Sequence, residues 1–136
     1  MNKKILAKLG EMDKYLQELD DLLPASKASY LNNLMVRRAC EKTVESAIEA
    51  VIGIISIIVS DKKLGLPQSE DDLINLLENN QIITKTLASK IRQMKGFRNV
   101  LVHKYAQIDD VLVYHFLKKE LDDFDLFEKE VREYLK

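Results

Sequence analysis

One cysteine, two histidines, four glycines and two prolines are spread over 136 residues. A single cysteine cannot close an internal disulfide, and with two histidines it leaves too few soft ligands for a His/Cys zinc site. Disulfide scaffolds, zinc fingers and most zinc enzymes are thereby excluded. So few glycines and prolines argue against a turn-rich β-sandwich or barrel and favour a few long helices. The longest apolar stretch is VIGIISIIV, Val51 to Val59. It falls far short of the about 20 residues needed to cross a bilayer. The basic start, MNKKILAKLG, lacks the apolar segment of a signal peptide. The expectation is a cytoplasmic chain without a membrane anchor, in which Cys40 is a small buried thiol.

What is present is a soluble globular balance: 46% hydrophobic and 32% charged residues, with a net charge of −1. A chain of this length can bury its own core, and no linker or internal repeat divides it, so residues 1–136 read as a single domain. Apolar residues recur at Ile5, Leu9, Met12, Leu16, Leu19 and Leu23, a core-facing helical stripe that Pro24 ends. Ser26 or Ser29 can cap a second helix running to about Ser60. The second half of that helix (Ile48, Val51, Ile52, Ile55, Val59) is apolar on nearly all sides, as a central or interfacial helix must be. Ser69 with Asp72 resembles a capping box for a short helix. Thr84 can cap a fourth helix, and Asp109 or Asp110 a fifth that carries Tyr114, Leu117, Leu121, Phe124, Val131 and Leu135 to the end. The predicted fold is an all-α, up-and-down bundle of four long helices and one short helix.

The charge is unevenly distributed. Residues 79–108 hold Lys85, Lys90, Arg92, Lys95, Arg98 and Lys104 and no acid. Such a strip reads either as an ordinary basic helix face or as a phosphate-attracting site. Within it the stripe runs Leu87, Ile91, Met94, Arg98, Leu101, Tyr105. Arg98 therefore stands where an apolar side chain belongs, and a buried guanidinium demands an anion, whether a carboxylate from a neighbouring helix or a ligand. His103 lies five residues on, about 140° around an ideal helix from Arg98, while Asn99 shares its face. For one site to use both Arg98 and His103, the helix must end or distort, or two subunits must contribute. Gly96 weakens the helix nearby. Arg37, Glu41 and Glu45 read as an ion-pair ladder, Arg38 and Lys42 as minor phosphate contacts, and His115 as half-exposed packing.

Phe97 to Tyr105, FRNVLVHKY, resembles the R-x4-H-x-Y signature of the HepT-like toxins, a branch of the HEPN superfamily. Arg98, His103 and Tyr105 match its arginine, histidine and tyrosine, and Asn99 the asparagine that commonly follows the arginine. The helix RRACEKTVESAIEA and the Ile108-Asp109-Asp110 start of the last helix agree with it. The resemblance implies a HEPN-like bundle acting as a metal-independent ribonuclease toxin. It implies a homodimer with two motifs near a shared cleft. It also implies a minimal nucleotidyltransferase antitoxin, MntA, that transfers AMP to Tyr105. Arg98 and His103 are then the catalytic pair, Asn99 a supporting residue, Lys95, Lys104 and Arg38 possible phosphate contacts, and RNA the substrate, with no metal or cofactor. The alternative is a non-catalytic HEPN module that binds a nucleotide or a nucleotidyltransferase. A purely structural helical dimer would leave Arg98 unexplained.

Overall fold

A computed structural model describes residues 2–103, of residue 103 the backbone only, and 108–136. Every regular element among them is a helix: α1 (Lys3–Leu22), α2 (Lys27–Leu31), α3 (Leu34–Asp61), α4 (Glu70–Asn79), α5 (Lys85–His103), α6 (Asp110–Lys119) and α7 (Asp122–Leu135). The expected all-α bundle is present, with two of its long helices each broken once. The second helix divides because Asn33 interrupts it. Its side chain accepts from the Val36 N–H and caps a new helix, so Ser26 caps only the short α2. The last helix divides at Glu120 and Leu121, directly before Asp122, Asp123 and Asp125, whose carboxylates suit a helix N-terminus.

α3 is the axis of the molecule. It is long and apolar enough to span a membrane by length and composition. Here, however, Val51, Ile54, Ile55 and Ile58 are sealed inside the bundle. α1 lies along it, burying Ile5, Leu9, Met12 and Leu19, while Leu16 and Leu23 of the predicted stripe are half-buried. α4 and α5 close a second side of α3 through Leu73, Ile74, Leu77, Leu87, Ile91 and Met94. From the last pair of helices, Tyr114, Leu117, Phe124, Phe127 and Val131 complete the core.

The predicted caps hold the entry angles. The Ser69 hydroxyl accepts from the Asp72 N–H at 3.2 Å, and the Asp72 carboxylate accepts from the Gln68 N–H at 2.8 Å. Thr84 caps α5 by accepting from the Leu87 N–H at 3.1 Å. Glu130 of α7 in turn accepts from the Thr84 N–H at 2.8 Å and from its hydroxyl at 2.7 Å, tying the start of α5 to the last helix. Asp109 caps α6. α5 runs through Gly96 without a break, and a Cβ there would meet nothing.

Candidate active site

Arg98 sits in the last third of α5, on the buried stripe between Met94 and Leu101, and is only 7% exposed. The demand for an anion is met by two carboxylates. Glu70, the first residue of α4, accepts from both terminal nitrogens of the guanidinium, from Nη1 at 3.2 Å and from Nη2 more closely still. Glu49 of α3 lies 3.4 Å from Nη1. The Asn99 side-chain oxygen accepts from Nε at 3.1 Å and from Nη2 at 2.9 Å. Hydrogen bonding to Glu70 is the main influence raising the Arg98 pKa above its ordinary value, so the group is a permanent cation. The Asn99 side-chain oxygen thus helps to orient the guanidinium.

The helix is continuous from Lys85 to His103, so positions 98 and 103 remain about 140° apart around its axis. Of the alternatives open in the sequence, distortion between the two residues is removed. The His103 side chain, Lys104 and Tyr105 lie outside the described residues. Next to the motif, Phe97 stacks on Phe116 of α6 with ring centroids 3.9 Å apart and planes within 7°. Arg37 of α3 reaches Asp110 at the start of α6, with Nε 3.4 Å from the carboxylate. These two contacts fix both flanks of the segment that joins α5 to α6.

Among the described residues, four cations of the acid-free strip are paired with acids from other helices. Lys90 pairs with Asp123 at 3.5 Å, Arg92 with Glu78 at 2.8 Å, Lys95 with Asp71 at 2.8 Å, and Arg98 with Glu70 and Glu49. α4 supplies three of these carboxylates, so α4 and α5 form an interhelical charge zipper. Lys95, a predicted phosphate contact, is therefore engaged. So is Arg38, whose Nη1 donates to both oxygens of the buried Glu41 at 2.9 and 3.2 Å. The expected ladder on α3 has other partners: Arg37 pairs with Asp110, Glu41 with Arg38 and Glu45 with Lys42. His115 is exposed. Burial, with the Glu41 charge, pushes the Cys40 thiol up to about 11, which makes it a poor nucleophile at neutral pH. Among the described residues no three histidines, cysteines or carboxylates converge as a metal-ligand set. Glu49 and Glu70 are the residues that sequence reasoning did not single out. The only signal for them was the misplaced arginine itself.

The arrangement is a buried arginine on a continuous helix, with a histidine five residues on and a tyrosine two beyond that. Residues 12–131 match the family model of the Ribonuclease HepT-like proteins. The chain belongs to the HepT-like family. Among similar HepT proteins, an mRNA nuclease HepT of Shewanella oneidensis is 27% identical over 127 residues, 93% of this chain and 95% of that one. A tRNA nuclease HepT of Aphanizomenon flos-aquae is 28% identical over 131 residues, 96% of this chain and 89% of that one. Among solved structures, a tri-AMPylated HEPN toxin of Shewanella oneidensis in complex with MNT antitoxin superposes with a TM-score of 0.91 at 26% identity. The superposition covers 98% of this chain and 99% of that one.

Proposed function

We propose that this HepT-like chain is an endoribonuclease toxin that acts as a homodimer and is silenced by AMP transfer to Tyr105 from a minimal nucleotidyltransferase antitoxin of the MntA type. One observation carries the reading: a guanidinium on the core stripe of α5, preorganised by Glu70 and Asn99, five residues before a histidine on the same helix. RNA brings its own nucleophile, so the site needs no metal. The 2′-hydroxyl attacks the adjacent phosphorus, the bond from phosphorus to the 5′-oxygen breaks, and the 5′-oxygen departs with a proton. The product ends are a 2′,3′-cyclic phosphate and a 5′-hydroxyl. His103, with a reference pKa of ~6.5, is the proton carrier near neutral pH. Arg98 offsets the charge that grows on the phosphate oxygens.

The angular separation of positions 98 and 103 supports a site built from two copies, one motif facing the other. The apolar stretch from Ala50 to Val59 does not bear on this, since it is spent inside the protomer. The surface that does is apolar and exposed around the motif: Val100 and Val102 within it, Val111 and Leu112 after it. Relatives named as nucleases, and an AMPylated toxin bound to an MNT antitoxin, support the activity, the partner and the modification. A cytoplasmic location fits an RNA target of this kind.

The test is incubation of wild type and His103→Ala with a total RNA pool, followed by mapping of the ends. Wild type should yield cyclic or hydrolysed 2′,3′-phosphate ends, and His103→Ala should be slower by about 10²–10⁴-fold. Recovery of 3′-hydroxyl ends alone would sink the mechanism. The engagement of every Arg98 nitrogen favours a second reading, a non-catalytic module that binds its partner. That reading predicts no cleavage by wild type in the same experiment.

A further inference from the structure

A guanidinium has five N–H donors. In Arg98, Nε donates to Asn99, Nη2 to Glu70 and Asn99, and Nη1 to Glu70, with Glu49 beside it at 3.4 Å. Four of the five donors are hydrogen-bonded, and the remaining one, on Nη1, has the Glu49 carboxylate as its nearest anion. A phosphate that takes this last donor must take the place beside Nη1 where Glu49 now stands.

The two carboxylates are unequally held. Glu70 grips the arginine with both oxygens. It stands at the first position of α4, where the helix dipole favours its charge, and Leu73, Ile74 and Leu77 anchor that helix in the core. Glu49 makes one longer contact, and its side chain is 51% exposed against 36% for Glu70. Glu49 also borders a groove of about 350 Å³ between α1 and α3 that is lined by Lys8 and Lys42 together with Glu11 and Glu45. Lys8 lies flat over Gly53, one helical turn beyond Glu49, with its Cε 3.3 Å from where a Cβ on Gly53 would stand. Lys42 is already paired with Glu45, so Lys8 is the cation this groove offers to a carboxylate leaving Arg98.

We propose that the two acids divide the work at Arg98: Glu70 positions the guanidinium, and Glu49 occupies the place of the RNA phosphate and must be displaced by it. The proposal rests on the ribonuclease reading. A carboxylate and a phosphate offer the same kind of acceptor, so substrate binding becomes an exchange of anions on Nη1. Glu49 then sets the apparent affinity for RNA, and Glu70 sets the rate of the bound complex.

The test uses the full chain and a 2′-O-methyl RNA oligonucleotide, which binds but lacks the nucleophile, in a four-protein cycle. Glu49→Gln should tighten binding about fivefold, the scale of one partly exposed ion pair that no longer competes for the arginine. In an Arg98→Ala background most of that gain should disappear, because the coupling runs through the arginine. With cleavable RNA, Glu49→Gln should lower KM and leave kcat near its wild-type value. Glu70→Gln should lower kcat by about 10–100-fold through a misaimed guanidinium, with partial rescue by Glu70→Asp. Equal tightening in both backgrounds, or none, overturns the role of Glu49. Full kcat in a folded Glu70→Gln overturns the role of Glu70, and if that variant does not fold, the Glu49 cycle still decides. Wild type that neither binds nor cleaves RNA overturns the ribonuclease reading first, and this proposal with it.

Discussion

Replacing Arg98 by methionine separates what the arginine does for the fold from what it does for the chemistry. The side chain is 7% exposed and lies between Met94 and Leu101, so the slot is already apolar along its length. The substitution removes the pairing with Glu70 and Glu49. Both carboxylates are more than a third exposed and can rehydrate where they stand, so the loss is about 1 kcal/mol or less. Against it stands the desolvation of a guanidinium that no longer has to be buried, together with the packing of the thioether. Exchanges of a buried ion pair for apolar side chains of similar volume are often neutral or stabilising by ~1–4 kcal/mol. Arg98→Met should therefore unfold within about 1 kcal/mol of wild type. Arg98→Ala, which leaves a hole, should lose roughly 2 kcal/mol. Urea unfolding followed by circular dichroism at several protein concentrations gives both numbers free of an oligomerisation offset. RNA cleavage by Arg98→Met should fall by about 10²–10³-fold, the usual scale for a lost donor to a developing charge. A loss of more than about 3 kcal/mol would mark the arginine as a structural ion pair, and undiminished cleavage would remove it from the mechanism.

Tyr105→Phe should remain toxic when the nucleotidyltransferase is co-expressed, and intact-mass analysis should find no AMP on it; full neutralisation of this variant by the partner's transferase activity would place the acceptor elsewhere. Leu112→Glu, at an exposed apolar position beside the motif, should give a monomer in sedimentation with helical content intact and cleavage lost; a stable, active dimer would move the interface. Burial, with the hydrogen bond and charge of Glu128, pushes the Asp13 carboxyl from 3.8 up to about 6. The folded state therefore binds this proton more readily than the unfolded one, and the strain of ionising it is absent at low pH and complete above about pH 6. Asp13→Asn should accordingly stabilise the chain at pH 7, by less than about 1 kcal/mol since Asp13 is largely exposed, and the gain should vanish near pH 4 in matched denaturation curves.

Much of the fold is written in local pattern. The stripe Ile5, Leu9, Met12, Leu19 and the run Val51, Ile52, Ile54, Ile55, Ile58 and Val59 are buried as a central helix requires, and Ser26, Ser69, Thr84 and Asp109 cap the helices they precede. The two helix breaks were less legible. Asn33 is a good N-cap, yet it sits between two stretches that both suit a helix. Its choice to cap depends on where Tyr30 must go to meet Tyr114, with ring centroids 5.1 Å apart. Similarly, Glu120-Leu121 carries no proline or glycine. The break there lets Phe124, Phe127 and Val131 turn onto the core, which is a tertiary demand rather than a local one.

Charge is where local reading and the folded chain part most clearly. A helix with Lys90, Arg92, Lys95 and Arg98 and no acid looks like an open basic face in sequence. The acids that answer it come from Glu49 on α3, from Glu70, Asp71 and Glu78 on α4, and from Asp123 at the start of α7. Potential depends on distance in space, and within a Debye length of ~8 Å these partners cancel most of the field that the strip alone would make. The misplacement of Arg98 on the apolar stripe survived this correction because it rests on packing rather than on net charge. An apolar slot does not admit a guanidinium without a compensating anion, whatever the rest of the surface carries. The same comparison explains why the site is identified by one side chain out of register and not by a basic patch. In the reading proposed above, substrate reaches this site by exchanging anions on one arginine, instead of being drawn to an exposed cationic surface.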